Sequence, residues 1–175
     1  MLHNPDHLPV SLNHVGLQGF STAGATVEIA AAHNPQFEAV IAEGNYATLG
    51  DMATSTEPHN LTEGLLGLGI RLGYWISTGE DAANLNPLGA MPRIAPRPVL
   101  LVYGSYELSA GAQRLVDAYH SSAPDGPIRL WIVKGAGHGG YSDIAGLPVY
   151  SYQELSFFDC ALLKRDCAQK AVERF

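Results

Sequence analysis

The stretch Gly19-Phe-Ser-Thr-Ala-Gly24 constrains the fold of this chain more than any other. An apolar run, His14 to Leu17, leads into it, and a small-residue helix, Ala25 to Ala32, leads out. Strand, sharp turn and helix with a serine at the turn is the context that a nucleophile elbow requires. Such a turn strains the serine backbone and brings strand and helix close together, so its neighbours must be small. Gly19, two residues before Ser21, and Ala23, two after it, meet that need. The usual motif has glycine at both places; here the second is alanine, with Gly24 one residue later. Taken alone, the stretch also fits a buried serine in an ordinary strand–helix turn.

The rest of the chain bounds the class. Its 175 residues suffice for one domain with a core of its own. Apolar residues make up 46% and charged residues 15%, a globular α/β balance. The formal charge of −7 is spread along the chain without a basic block, which argues against nucleic acid as a partner. No N-terminal stretch has the layout of a signal peptide, so the expected location is the cytoplasm. The most apolar segment, Leu61 to Ile76, carries Arg71 and several glycines and is too short to span a bilayer, so no membrane is expected. Cys160 and Cys167 fall in one expected helix, where their spacing puts them roughly 10 Å apart, too far for a disulfide. Nothing in that reading demands an oxidising compartment.

Residues 1 to 13 are polar, contain Pro5 and Pro9, and read as a loop; Pro5 argues against a metal-binding helix turn for His3 and His7. The first helix stops at His33-Asn34-Pro35. Phe37 to Ala42 reads as a parallel strand buried on both faces. It ends in Glu43-Gly44-Asn45-Tyr46, and ligand-facing groups gather at such ends, which makes Glu43 and Tyr46 pocket candidates. Residues 47 to 95 break the strand–helix alternation and read as a lid insertion. Within it, Leu61, Leu65, Leu68, Leu72 and Trp75 form a helical stripe expected in the core, and Ser77 to Met91 reads as a loop with Pro87. Pro98 to Tyr103 is the clearest buried strand, followed by a helix capped by Ser109 with Ala112, Leu115, Val116 and Tyr119 on one face. Ile128 to Val133 is the next strand. It ends in Gly135-Ala-Gly-His-Gly-Gly140, a loop whose one large side chain is His138. Tyr150 to about Lys170 reads as an amphipathic helix with Leu155, Phe158 and Leu162 inward.

Ser21, Glu107 and His138 thus fall at the carboxyl ends of three expected strands. A serine hydroxyl needs a base to take its proton, and the base needs a carboxylate to fix its tautomer. The chain order serine, acid, histidine is that of the α/β-hydrolase triad.

On these residues the sequence resembles the α/β-hydrolase superfamily, from about Asn13 onward. The resemblance rests on Gly19-Phe-Ser-Thr-Ala-Gly24, on Pro96-Arg-Pro-Val-Leu-Leu-Val-Tyr-Gly104 with an acid three residues later, and on Gly135-Ala-Gly-His138. Within the superfamily it looks most like the dienelactone-hydrolase and acyl-peptidase-like esterases. The implied fold is an α/β architecture with a parallel sheet of about four strands flanked by helices, in a single domain with a helical lid at 47–95. The implied roles are Ser21 as nucleophile, His138 as base, Glu107 as acid with Glu43 as its rival, and the Thr22 backbone N–H as one oxyanion donor. The implied activity is hydrolysis of a small-molecule ester, thioester or amide through an acyl-enzyme, with no cofactor and no metal. The family fold has eight strands with its serine after the fifth, and its second oxyanion donor lies after the third. Residue 21 leaves no room for those strands. The resemblance therefore implies either the C-terminal portion of a hydrolase or a product completed by a second chain, through edge-to-edge homodimerisation or a separate N-terminal piece. Loss of one oxyanion donor costs about 10²–10³ in rate. The alternative reading is a non-catalytic binding domain or inactive fragment of the same fold.

Overall fold

The computed structural model describes residues 14–48, 69, 72–77, 79, 85–107 and 110–164. Four strands form one sheet in the order β1 (Val15–Phe20), β2 (Phe37–Glu43), β3 (Val99–Gly104) and β4 (Ile128–Val133), and every pairing is parallel. Parallel neighbours need crossovers, and crossovers of one hand that advance in one direction all lie on the same face. Helices α1 (Thr22–His33), α2 (Pro87–Ile94) and α3 (Ala110–His120) accordingly share one face. The chain returns over the other face as α4 (Tyr141–Ala145) and α5 (Leu147–Leu163).

The two-residue period of the strands sorts the core into two layers. Val40, Ala42, Val99, Leu101 and Tyr103 point to α1–α3 and meet Met91, Ile94, Leu115 and Tyr119. Ala39, Ile41, Leu100 and Val102 point to the opposite side and meet Tyr141, Phe157 and Ala161. Burial on both faces is why β2 and β3 read as continuous apolar runs rather than alternating ones. The registers Phe20↔Glu43, Glu43↔Val102 and Gly104↔Val133 bring the carboxyl ends of all four strands to one edge of the sheet.

Several expectations change. Residues 87–94 are a core helix, not part of a loop. Asn86 caps α2, its side chain accepting the Gly89 N–H at 3.0 Å, and Pro87 takes the first turn, where its missing donor costs nothing. Of the expected 47–95 insertion, residues 49–68, 70–71, 78 and 80–84 lie outside the described residues. The stripe expected in the core is exposed where it is described, at Leu72 and Trp75, while Leu61, Leu65 and Leu68 lie outside the described residues. In α5, Leu155 is 64% exposed, and Gln153, Phe157 and Ala161 are the buried residues. Phe158 and Leu162 still pack against the core, as expected. The helix starts three residues earlier than Tyr150 and stops at Lys164, whose left-handed φ of 57° ends it. Cys160 is disulfide-bonded, and the chain has one other cysteine, Cys167, outside the described residues. A disulfide at Cys160 overturns the expectation, drawn from its spacing to Cys167, that none forms. No helix among the described residues is long and apolar enough to cross a membrane.

Candidate active site

Ser21 sits between β1 and α1 with φ 56° and ψ −121°, a conformation that an L-residue adopts only under constraint. The constraint is visible on both sides. The Ser21 N–H donates to the Glu43 carbonyl at 2.7 Å, tying the turn to the end of β2. A Cβ on Gly19 would lie 2.4 Å from the Ala23 carbonyl oxygen, and one on Gly24 would lie 2.9 Å from Asn45 Cβ. Gly24, not residue 23, is thus where the helix approaches its neighbour; Ala23 is exposed, which is why alanine fits there. Ser21 occupies the N-cap of α1 yet makes no capping hydrogen bond with its side chain, so the hydroxyl is turned elsewhere.

It is turned to His138. The two meet at 3.0 Å between Ser21 Oγ and His138 Nε2. The other ring nitrogen, Nδ1, donates to Glu107 Oε1 at 2.7 Å. With the Nδ1 proton directed at the carboxylate, Nε2 presents a lone pair to the serine hydroxyl. Glu107 is sheltered and His138 open, with side-chain exposures of 10% and 53%. Glu107 Oε2 accepts two further donors, the Gly104 N–H at 2.5 Å and the Tyr141 phenol at 2.6 Å. Phe20 lies against the imidazole with ring centroids 5.0 Å apart, and meets Tyr141 edge-on at 6.0 Å.

The loops that carry the acid and the histidine are pinned to each other. Ser105 N–H donates to the Val133 carbonyl, Tyr106 N–H to the Ala136 carbonyl, and the Gly135 N–H to Ser105 Oγ. Gly104 has no room for a side chain, since a Cβ would lie 2.3 Å from the Ala136 carbonyl oxygen. Left-handed backbone at Gly135, Gly139 and Gly140 turns the histidine loop back over the sheet. Gly44, also left-handed, lies beneath the cluster: a Cβ there would fall 2.6 Å from the Tyr141 hydroxyl and 3.2 Å from His138 Cε1.

Of the residues singled out from sequence, the structure joins Ser21, Glu107 and His138. Thr22 opens α1, so its N–H is among the first-turn amides with no partner within the helix. Glu43 is not at the imidazole. It is buried, its Oε2 accepting the Tyr150 phenol at 2.6 Å and its Oε1 the Gln18 amide at 2.9 Å. The same amide makes a short hydrogen bond to Glu154, whose carboxyl is raised above its usual range by burial and by the nearby Glu43 charge. Tyr46 is half-buried, with its phenol pushed up by burial first and by Tyr74 and Glu28 next. Tyr141 was not legible as a site residue; its sequence signal is an aromatic residue directly after the glycine-rich histidine loop. Its phenol is held well above the usual tyrosine range, by burial first and then by the Glu107 carboxylate, so it stays a donor. No group of three or more metal-ligating side chains occurs among the described residues.

No family model matches the chain, and no curated protein sequence matches it. Solved structures do. A puromycin-hydrolyzing peptidase of Mycobacterium tuberculosis superposes with a TM-score of 0.63 at 24% identity, over 84% of this chain and 22% of its own. The acylaminoacyl peptidase of Pyrococcus horikoshii gives 0.63 at 18% identity, over 87% and 24%. An alpha/beta hydrolase from Penicillium sp. gives 0.60 at 16% identity, over 90% and 67%. The chain spans about a quarter of the length of the two peptidases. The likeness is one of fold, and the fold of this chain is that of the α/β hydrolases.

Proposed function

We propose that the chain is a serine hydrolase that cleaves an ester, thioester or amide through an acyl-enzyme. The observation that carries this reading is the relay from Ser21 Oγ to His138 Nε2 and from His138 Nδ1 to Glu107, closed at 3.0 and 2.7 Å. In the proposed reaction Ser21 Oγ attacks the acyl carbonyl carbon and its proton passes to His138 Nε2. The imidazolium is stabilised by Glu107, and the Thr22 N–H faces the oxyanion. Collapse expels the leaving group with the proton from His138, and water attacks the acyl-serine with the same base. Proton transfer of this kind contributes about 10²–10⁴ to the rate. The names of the structural neighbours, two of them peptidases, point to the same class of bond. A small acyl group on a small-molecule substrate is the substrate class we infer.

The test is labelling of the purified chain by a fluorophosphonate, with peptide mapping of the adduct. Modification at Ser21 in the parent, its absence in Ser21→Ala and a stability change within about 1 kcal/mol support the reading. A folded protein that resists labelling would favour the other reading, a binding domain on the same fold. An adduct mapped to another serine would move the nucleophile.

A further inference from the structure

Tyr141 stands apart from the rest of the relay's surroundings. It opens α4, its side chain is almost wholly buried, and its hydroxyl ends on the oxygen of Glu107 that does not face His138, at 2.6 Å. The phenol is fixed from three sides: Phe20 lies edge-on to its ring, Gly44 leaves the space that its hydroxyl fills, and Glu107 accepts its proton. Two donors from different elements therefore hold Glu107 Oε2, the Gly104 amide from β3 and the Tyr141 phenol from α4. With Oε2 so occupied, the carboxylate cannot swing about its terminal bond without losing both, and Oε1 stays aimed at the imidazole.

We propose that Tyr141 is a positioning residue of the Ser21–His138–Glu107 relay, orienting the Glu107 carboxylate and, by taking up part of its negative charge, setting how strongly that carboxylate holds the His138 Nδ1 proton. The inference rests on the hydrolase reading of the relay. A hydrogen bond to an ionised carboxylate is about twice as strong as a neutral one and draws charge from the acceptor. Removing the phenol leaves the Glu107 charge less shared, a stronger pull on the Nδ1 proton and a carboxylate free to turn. The other ionisable group facing Tyr141 is Glu43 from β2, itself held by Tyr150 of α5 and beside Glu154. None of these three makes a hydrogen bond to His138 or Glu107 among the described residues.

The experiment reads the chemical shift of the His138 Nδ1 proton by NMR, in the full chain, assigned by its loss in His138→Gln. This signal reports on the Glu107 contact whether or not the protein turns over a substrate, so failure of the hydrolase reading in the labelling test remains a separate result. Tyr141→Phe is expected to move the resonance downfield. Replacing Tyr141 with 3-fluorotyrosine keeps the ring and strengthens the donor, and is expected to move it upfield even if the phenylalanine variant folds poorly. If the protein labels at Ser21, Tyr141→Phe should lower kcat about ten-fold with KM unchanged, and should add nothing in a Glu107→Gln background. A resonance that stays in place in the fluorotyrosine variant overturns the proposal. So does a kcat loss of the same size whether residue 107 is glutamate or glutamine.

Discussion

Two glutamates end neighbouring strands here, and only one of them reaches the imidazole. Glu107 sits three residues beyond β3, on a turn tied to the histidine loop. Glu43 ends β2 itself and points between the sheet and α5, where Tyr150 and Gln18 hold it. Glu107→Gln is therefore expected to slow fluorophosphonate labelling by two orders of magnitude or more, roughly the scale of a lost general-base orienter. Glu43→Gln should leave the rate within about three-fold, because glutamine keeps an acceptor for Tyr150 and a hydrogen bond of this kind is worth about 1 kcal/mol. Comparing labelling rates of the two variants checks the assignment. Ser21, Glu107 and His138 were legible in the sequence because each stands in a glycine-marked turn after an apolar run. Tyr141 was not, because what gives it meaning is the empty space at Gly44, 97 positions away, and the far oxygen of Glu107, 34 positions away.

Strands and helices differ in how plainly they announce themselves. The four strands were readable to within two residues: burial on both faces makes β3 and the middle of β2 apolar, while β1 and β4 carry short apolar runs broken by Gln18 and Arg129. Helix α5 was readable as a helix but not in its facing. Apolar residues ring it, so periodicity could not choose between Leu155 and Phe157 as the inward residue. Helix α2 was hidden by its prolines, of which Pro87 starts it and Pro92 lies near its end. What holds that end is Arg97. Its guanidinium donates to the carbonyls of Arg93 and Ile94 at the end of α2, and to those of Asn34 and Phe37 where α1 gives way to β2. These bonds lie at the opposite end of the sheet from the relay. Arg97→Ala is expected to cost about 2–3 kcal/mol in denaturant unfolding, the scale for charged donors to backbone, while Ser21 still labels in the folded fraction. Labelling lost at full stability would show that the two ends of the sheet are coupled.

At the scale of the whole molecule, Glu28 of α1 stands out among the described residues, fully buried on the helix that follows the elbow. Its Oε2 accepts the Asn45 amide at 2.8 Å, and its Oε1 has no hydrogen-bond partner among the described residues. Burial drives its carboxyl well above the ordinary value of 4.5, against the smaller opposing effect of Asn45. The native state thus keeps a proton that the unfolded chain releases above that value. Stability from this group is complete below pH 4.5 and is lost as pH rises toward the native-state value. Glu28→Gln should consequently raise the melting temperature at pH 7 and leave it nearly unchanged at pH 4; equal shifts at both would refute the linkage. At the opposite extreme of organisation stands the width of the sheet. Ser21 follows β1 and His138 follows β4, three strand intervals or about 14 Å away. The segment from Gly135 to Gly140 is a strut thrown across that width, and the relay closes only if the strut is long enough. Deleting Gly137 shortens it by about 3.5 Å, more than a hydrogen bond can stretch. The result should be a protein with the circular dichroism of the parent in which serine and histidine stand on opposite banks, and fluorophosphonate no longer marks Ser21.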